Sequence, residues 1–173
     1  MKSLKDIILE ASRTLQPKIN WADAECLLTA IATVESDYGQ FNIPRHEPAY
    51  DVGGVYFKKS QLVRDNWKKY GAMAACSWSS FQIMFIVAAE LGFPGSPIQL
   101  WDDETAIHWV TEYIQKRILS KGVVTTKEFA IAYNAGSPKS INASAIKYAE
   151  KFGNEYYKLL RAKRESEVFI IKA

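Results

Sequence analysis

One apolar helical segment, residues 27–39, restricts the possible folds of this chain more than any other feature. Leu28, Ile31 and Ala32 recur at the spacing of one helix face. Glu35 follows Leu28 by seven residues and Ile31 by four, so a carboxyl group lies on the same apolar stripe. A fold built around this helix must therefore accommodate one ionisable group where a core side chain is expected.

The position of Glu35 has a chemical consequence. Burial and the negative end of the helix dipole both disfavour the carboxylate, so both raise the pKa of the group. A carboxyl group that stays protonated near neutral pH is what a general acid requires. Two other interpretations remain open at this stage: an exposed glutamate at a frayed helix end, and a buried glutamate paired with an arginine.

Other apolar-periodic segments, separated by glycine and proline, predict a mainly α protein of about seven or eight helices. The predicted helices cover 4–15, 21–38, 62–70, 81–91, 106–118, 126–135 and 146–160. Asn20 is the predicted N-cap of the second helix, and Thr125 with Glu128 fits a capping box before the sixth. Periodicity is lost over 40–57, where we expect a loop with at most a small β-hairpin near Gly53.

Length and composition predict one domain over residues 1–173 and exclude several classes of protein. A net charge of +3 is too small for a nucleic-acid-binding surface, and no apolar run is long enough for stable insertion into a membrane. Cys26, Cys76, His46 and His108 have neither disulfide-framework nor zinc spacing, so we expect no metal or cofactor. We expect a monomer. Charges interrupt the N-terminal apolar run, so we expect synthesis in the cytoplasm without a signal peptide.

Three polar segments at helix ends could carry chemistry: residues 35–39, 77–84 and 132–136. Each has a structural interpretation as well. Gln82 could be ordinary surface in the first turn of a helix, Tyr133 a core ring, and the residues after it a C-cap. The three segments together, in this order, favour a shared functional role.

In this combination the sequence resembles the lysozyme-like superfamily, in particular the goose-type lysozymes and the Slt-type lytic transglycosylases. The family pattern is a helix-terminal Glu-Ser, then Ser-x-Gly-x-x-Gln-Ile/Leu-Met, then Ala-Tyr-Asn-Ala-Gly. The chain has Glu35-Ser36, then Ser77 to Gln82 followed by Ile83-Met84, then Ala132 to Gly136. Arg45-His46-Glu47 also resembles a segment of phage-associated muramidases. The chain departs from the pattern at Ser79, where the family usually has glycine, and in a long insertion between the first two motifs.

The resemblance implies an enzyme that cleaves the β-1,4 bond between N-acetylmuramic acid and N-acetylglucosamine in peptidoglycan, without a cofactor. Glu35 would be the general acid and base, and Tyr133 would hydrogen-bond near it and tune or orient it. The implied sugar-binding residues are Ser77, Gln82, Tyr133 and Asn134. Transglycosylation with 1,6-anhydro products is one expectation, and hydrolysis with Glu47 as a second carboxylate is the alternative. A catalytically inactive cell-wall-binding module is a third possibility.

The same resemblance bears on where the protein would act. A wall-cleaving enzyme made without a signal peptide suggests a phage endolysin that reaches the wall after release, or a component of the virion. The C-terminal segment carries lysines and arginines on one side, which we interpret as a solvated helix face in preference to a binding patch.

Overall fold

The computed structural model describes residues 2–171, and this part of the chain is mainly α-helical, as predicted. Its α-helices are α1 (Leu4–Leu15), α2 (Ala24–Ser36), α3 (Val55–Lys59), α4 (Gln61–Tyr70), α5 (Phe85–Glu90), α6 (Asp103–Tyr113), α7 (Thr126–Ala135) and α8 (Ala143–Ile171). A turn of π-helix, Ile114–Ile118, continues α6. None of the helices described is long and apolar enough to cross a membrane.

A small antiparallel sheet accompanies the helices. Its strands are β1 (Arg45–His46), β2 (Cys76–Trp78) and β3 (Ile83–Met84), in the order β1-β2-β3. Arg45 pairs with Ser77 across β1 and β2, and Ser77 pairs with Met84 across β2 and β3. The sheet therefore brings the 40–57 segment against the second polar segment of the sequence.

The prediction of a hairpin near Gly53 is wrong in its location. A short 3₁₀ turn, Pro48–Tyr50, precedes this position, and the Gly54 amide donates a hydrogen bond of 2.8 Å to the Asp51 carbonyl. A β-carbon at Gly54 would lie 2.4 Å from the Pro48 carbonyl oxygen, so the chain folds back on itself too closely for any other residue. Gly54 therefore allows a compact loop that leads into α3.

The core forms around α2, which packs against α1 and α8. Leu27, Leu28 and Ile31 are fully buried. Helices α2 and α8 run antiparallel, because Asp23 before α2 receives a hydrogen bond from Lys163 late in α8, while residues at the end of α2 contact the first turns of α8. This arrangement places the C-terminal end of α2, where Glu35 lies, beside the start of α8.

Several helix boundaries differ from the prediction: α2 is shorter than 21–38, α6 begins before residue 106, and α8 extends beyond 146–160 at both ends. The N-cap of α2 is Asp23, whose carboxylate accepts a hydrogen bond of 2.9 Å from the Cys26 amide, and not Asn20. Helix α5 begins at Phe85 and not near residue 81, because the chain first makes a turn and a short strand. Thr125, by contrast, caps α7 as predicted, with its hydroxyl accepting from the Glu128 amide.

Candidate active site

Glu35 lies in the last turn of α2, one residue before the helix ends at Ser36. Its side chain is only 8% exposed, so the carboxyl group is almost entirely removed from water. Burial raises the pKa of Glu35 above its ordinary value, and this effect outweighs the neighbouring groups that lower it. Glu35, which the sequence places on the apolar face of its helix, is therefore a buried carboxyl group with a raised pKa.

Arg45 connects Glu35 to Glu47. Its Nη1 lies 3.7 Å from Oε2 of Glu35, and its Nε donates a hydrogen bond of 2.7 Å to Oε1 of Glu47. The guanidinium lowers the pKa of Glu35, whereas the negative charge of Glu47 raises it. The two carboxyl groups thus share one arginine.

Two other acidic residues near Glu35 in the sequence, Asp37 and Asp51, form no ion pair with Arg45. Asp51 pairs with His46 at 2.7 Å and accepts a hydrogen bond of 2.6 Å from the Trp67 indole nitrogen. Asp37 is exposed and caps α2 in a left-handed conformation, with φ of 51°. His46 therefore contacts Asp51, and Glu47 is the carboxylate whose charge acts on Glu35.

Tyr148, in the second turn of α8, is a site residue that the sequence analysis missed. Its hydroxyl oxygen is buried and has no hydrogen-bond partner among the described residues. The hydroxyl lies close enough to Glu35 to lower the pKa of that carboxyl group, although the two groups do not meet hydrogen-bond geometry. Tyr148 precedes Phe152 by four residues and stacks on it, so helical spacing alone would have predicted that the ring is buried. Its proximity to Glu35 depends on how α8 packs against α2.

The second polar segment forms a tight turn between β2 and β3. The Ser77 hydroxyl donates a hydrogen bond of 2.7 Å to Oε1 of Gln82. The side-chain Nε2 of Gln82 donates to the carbonyls of Ser79, at 3.0 Å, and Ile43, at 3.2 Å. Ser77 and Gln82 are both buried. Their polar groups are thus engaged within the protein, where they hold the turn together and attach it to the segment that leads into β1.

Two residues of this turn adopt left-handed backbone conformations. The φ angles are 69° at Ser79 and 49° at Gln82. A non-glycine residue in this region costs about 1–2 kcal/mol. The Ser79 hydroxyl offsets part of this cost by accepting a hydrogen bond of 3.2 Å from the Phe81 amide. Glycine is therefore the residue that this position favours on backbone grounds.

Side chains from three helices hold the turn in place. Ser36, next to Glu35, donates a hydrogen bond of 2.8 Å to the Ser80 carbonyl. Asp103 at the start of α6 accepts bonds of 2.8 and 2.7 Å from the Ser80 amide and hydroxyl. The Tyr133 hydroxyl donates a bond of 2.8 Å to the Phe81 carbonyl. The structure thus brings the three polar segments of the sequence together, and it adds Asp103 from α6.

Tyr133 and Asn134 differ in their surroundings. Burial raises the pKa of Tyr133 well above its ordinary value, and the charge of nearby Glu35 raises it further. Its hydroxyl is bonded to the Phe81 carbonyl and not to Glu35. Asn134 is exposed in the last turn of α7, where Gly136 provides the left-handed C-cap. Asn134 is therefore the predicted sugar-binding residue whose side chain is accessible at the surface.

The described part of the chain contains no group of three His, Cys, Asp or Glu side chains that could hold a metal ion. Two surface grooves, of about 350 and 660 Å³, are lined by other residues and do not include Glu35. The Arg45 side chain, which is more than half exposed, lies between the Glu35 carboxyl group and solvent. Movement of the Arg45 side chain would therefore change how much of Glu35 a ligand could reach.

No family model, curated protein or solved structure matches this chain. The resemblance to the lysozyme-like superfamily therefore depends on the three motifs alone and stays a prediction. The fold class, in contrast, is established by the helices and the small sheet described above.

Proposed function

We propose that this protein cleaves the β-1,4 bond between N-acetylmuramic acid and N-acetylglucosamine in peptidoglycan, as a lytic transglycosylase. One observation supports this proposal most strongly: the Glu35 carboxyl group is almost fully buried and has a raised pKa, at the point where the three motif segments meet. Such a group can hold a proton near neutral pH and deliver it to a leaving oxygen.

The reaction that follows from this assignment uses one carboxyl group twice. Protonated Glu35 donates its proton to the glycosidic oxygen, and the bond between that oxygen and C1 of the muramoyl sugar breaks. The Glu35 carboxylate then takes the proton of the muramoyl C6 hydroxyl, whose oxygen bonds to C1. The products are a 1,6-anhydro end and a free N-acetylglucosamine hydroxyl, and Glu35 is protonated again. Water is not consumed.

The neighbours of Glu35 suit both halves of this cycle. In the first half, burial favours the protonated acid. In the second half, Arg45 and the Tyr148 hydroxyl favour the carboxylate that remains, since both lower the pKa of Glu35. A group whose two protonation states are each supported in this way can be an acid and then a base without a second carboxylate.

We assign different roles to the residues that the sequence predicted to hold sugars. Ser77 and Gln82 are bonded to each other and to backbone carbonyls, so we propose that they position the turn beside Glu35. Tyr133 has the same role through the Phe81 carbonyl. Asn134, which is exposed, is the residue of this set that we propose contacts the glycan directly.

Hydrolysis by a muramidase is the second candidate function, and the shared contact to Arg45 favours it. The Arg45 guanidinium lies between Glu47 and Glu35 and contacts both carboxyl groups, and the Glu47 side chain is only partly exposed. A hydrolase of this kind needs carboxyl groups separated by about 5–5.5 Å for retention or about 6.5–9.5 Å for inversion. In that mechanism Glu47 would activate water or stabilise the sugar cation, and the products would carry reducing ends.

The test is mass spectrometry of muropeptides released from purified sacculi. Anhydro ends support the transglycosylase, and reducing ends support the muramidase. Under the first proposal Glu35→Gln abolishes release and Glu47→Gln retains anhydro products, whereas under the second each substitution abolishes release. Glu150→Gln, an exposed substitution on α8, is the matched control and should behave as the wild type.

Full release by Glu35→Gln would refute both enzymatic proposals. If the wild-type protein sediments with sacculi and releases nothing, the protein is a wall-binding module instead. A turbidity assay on cell walls, run beside the binding assay, separates this outcome from simple inactivity of the preparation.

A further inference from the structure

A second groove lies between the segment before α2, the start of α7 and the distal half of α8. It has a volume of about 660 Å³, and its walls include Trp21, Thr126, Tyr157, Arg161 and Arg164. No carboxylate lines this groove. It therefore combines two guanidinium groups with aromatic rings and hydroxyl groups, in a space large enough for a ligand of several sugar-sized units.

The groove is positively charged because its arginines are unpaired. Arg161 and Arg164 are exposed, lie one turn apart on α8, and form no ion pair within the described residues. Two carboxylates near the groove have other partners: Asp23 pairs with Lys163 at 2.9 Å, and Glu128 accepts a hydrogen bond of 3.0 Å from the Thr125 hydroxyl. The two guanidinium charges are thus available to a ligand.

This finding refines the sequence interpretation of the basic C-terminal face. Lys158 lies 3.5 Å from Glu155, and Lys163 pairs with both Asp23 and Glu25. These lysines are consistent with a solvated face whose charges are locally compensated. Arg161 and Arg164 differ, because they line a groove and have no such compensation.

The aromatic rings of the groove are fixed in place. Trp21 packs against the buried Phe129 with ring centroids 6.1 Å apart, and Tyr157, which is 53% exposed, packs against Tyr156 at 5.1 Å. The hydroxyl groups of Tyr157 and Thr126 share a hydrogen bond of 3.0 Å. The rings offer apolar surface to the carbon skeleton of a sugar or polyol, and the hydroxyls offer it polar contacts. The arginines match the geometry of phosphate oxygens.

The groove is far from the candidate active site. Glu35 and Trp21 flank opposite ends of α2, which rises about 1.5 Å per residue, so they are separated by roughly 15–20 Å along its axis. Tyr148 and Arg161 have a similar separation along α8. A ligand in the groove would therefore not occupy the site around Glu35.

We infer that this groove is a second binding site, for an anionic polymer of polyol units linked by phosphodiester bonds. Phosphates would bind Arg161 and Arg164, and the polyol carbons would lie on Trp21 and Tyr157. Such a site goes beyond the proposed cleavage of peptidoglycan, because it would hold the protein on an anionic envelope polymer that the reaction does not touch.

The test is calorimetric titration of the full chain with soluble poly(glycerol phosphate) over a series of salt concentrations. The double variant Arg161→Gln/Arg164→Gln should bind at least tenfold more weakly at low salt and should lower the salt slope by about 1.4, for two phosphate contacts on a flexible strand. Tyr157→Leu should weaken binding and leave the salt slope unchanged. The matched control Lys58→Gln/Lys59→Gln removes the same charge from the exposed end of α3 and should bind as the wild type.

Three outcomes would overturn the inference: no salt-dependent binding by the wild type, equal losses in the groove variant and the lysine control, or equal affinity for duplex DNA at matched phosphate concentration. Neutral dextran should not bind. Glu35→Gln should retain polymer binding in full. Because binding is the readout, a protein that releases no muropeptides can still satisfy this test, and a protein that fails it can still cleave peptidoglycan.

Discussion

Replacement of Tyr133 by phenylalanine tests how the third polar segment acts on the candidate site. The Tyr133 hydroxyl donates a 2.8 Å hydrogen bond to the carbonyl of the fully buried Phe81. The substitution removes this one donor and retains the ring, which packs against Tyr113 and Phe129. The change therefore isolates the hydrogen bond that connects α7 to the turn between β2 and β3.

The expected cost follows from the acceptor that is left behind. A buried carbonyl deprived of its donor costs about 1–3 kcal/mol of the free energy of unfolding. For a chain of this size, 1 kcal/mol corresponds to a change in Tm of about 2–4 °C, so the Tm should fall by about 2–12 °C. Packing contributes little to the difference, because no carbon atom is removed.

Equilibrium urea unfolding measures this difference directly. Tyr113→Phe is the matched control, because its hydroxyl makes a longer bond, 3.3 Å, to the Ala132 carbonyl. The control should cost about 0.5–1.5 kcal/mol, the usual net value of one hydrogen bond. Loss of the turn's anchor should also reduce lytic activity in Tyr133→Phe, because the turn lies against Ser36, the neighbour of Glu35.

A different result would show that the Tyr133 hydroxyl does not act by holding the turn between β2 and β3. If Tyr133→Phe keeps the wild-type free energy of unfolding and instead shifts the pH profile of activity, the hydroxyl acts on Glu35 directly. That result would restore the role that the family resemblance implied for Tyr133.

Two further predictions concern the Glu35 carboxyl group. Its pKa is raised in the folded state, so wild-type stability should decrease as pH rises from the ordinary glutamate pKa through the raised value. Glu35→Gln should lack this decrease, so its stability relative to the wild type should increase with pH when both are measured by thermal unfolding. If the stabilities of the two proteins change with pH in parallel, the pKa of Glu35 is not raised in the folded state. Arg45→Gln should move the alkaline limb of the activity profile to higher pH, because Arg45 lowers the pKa of Glu35, and Glu47→Gln should move it to lower pH. Shifts in the same direction in muropeptide release assays would contradict the shared-arginine geometry.

Local sequence was sufficient where local interactions decide the structure. The apolar spacing in α1 predicted its bounds, Leu4–Leu15, because that helix is defined by one buried face. Thr125 and Glu128 predicted the start of α7, since a capping box involves only neighbouring residues.

The same reasoning failed at the turn between β2 and β3. Serines followed by an apolar run favoured a helix near residue 81, yet the backbone is left-handed at Ser79 and Gln82. Contacts from Ser36, Asp103 and Tyr133 stabilise that strained turn, and all three are distant in the sequence. A pattern read over neighbouring residues contains no information about them.

The sequence by itself determined that one carboxyl group, Glu35, continues an apolar helical stripe and that the protein is mainly α. Only the tertiary structure decided the surroundings of that group: Arg45 and Glu47 beside it, and Tyr148 facing it from α8. The physical reason is that helical periodicity specifies which side of one helix is buried, whereas the pKa of a buried acid depends on charges and hydroxyl groups that other elements bring to it.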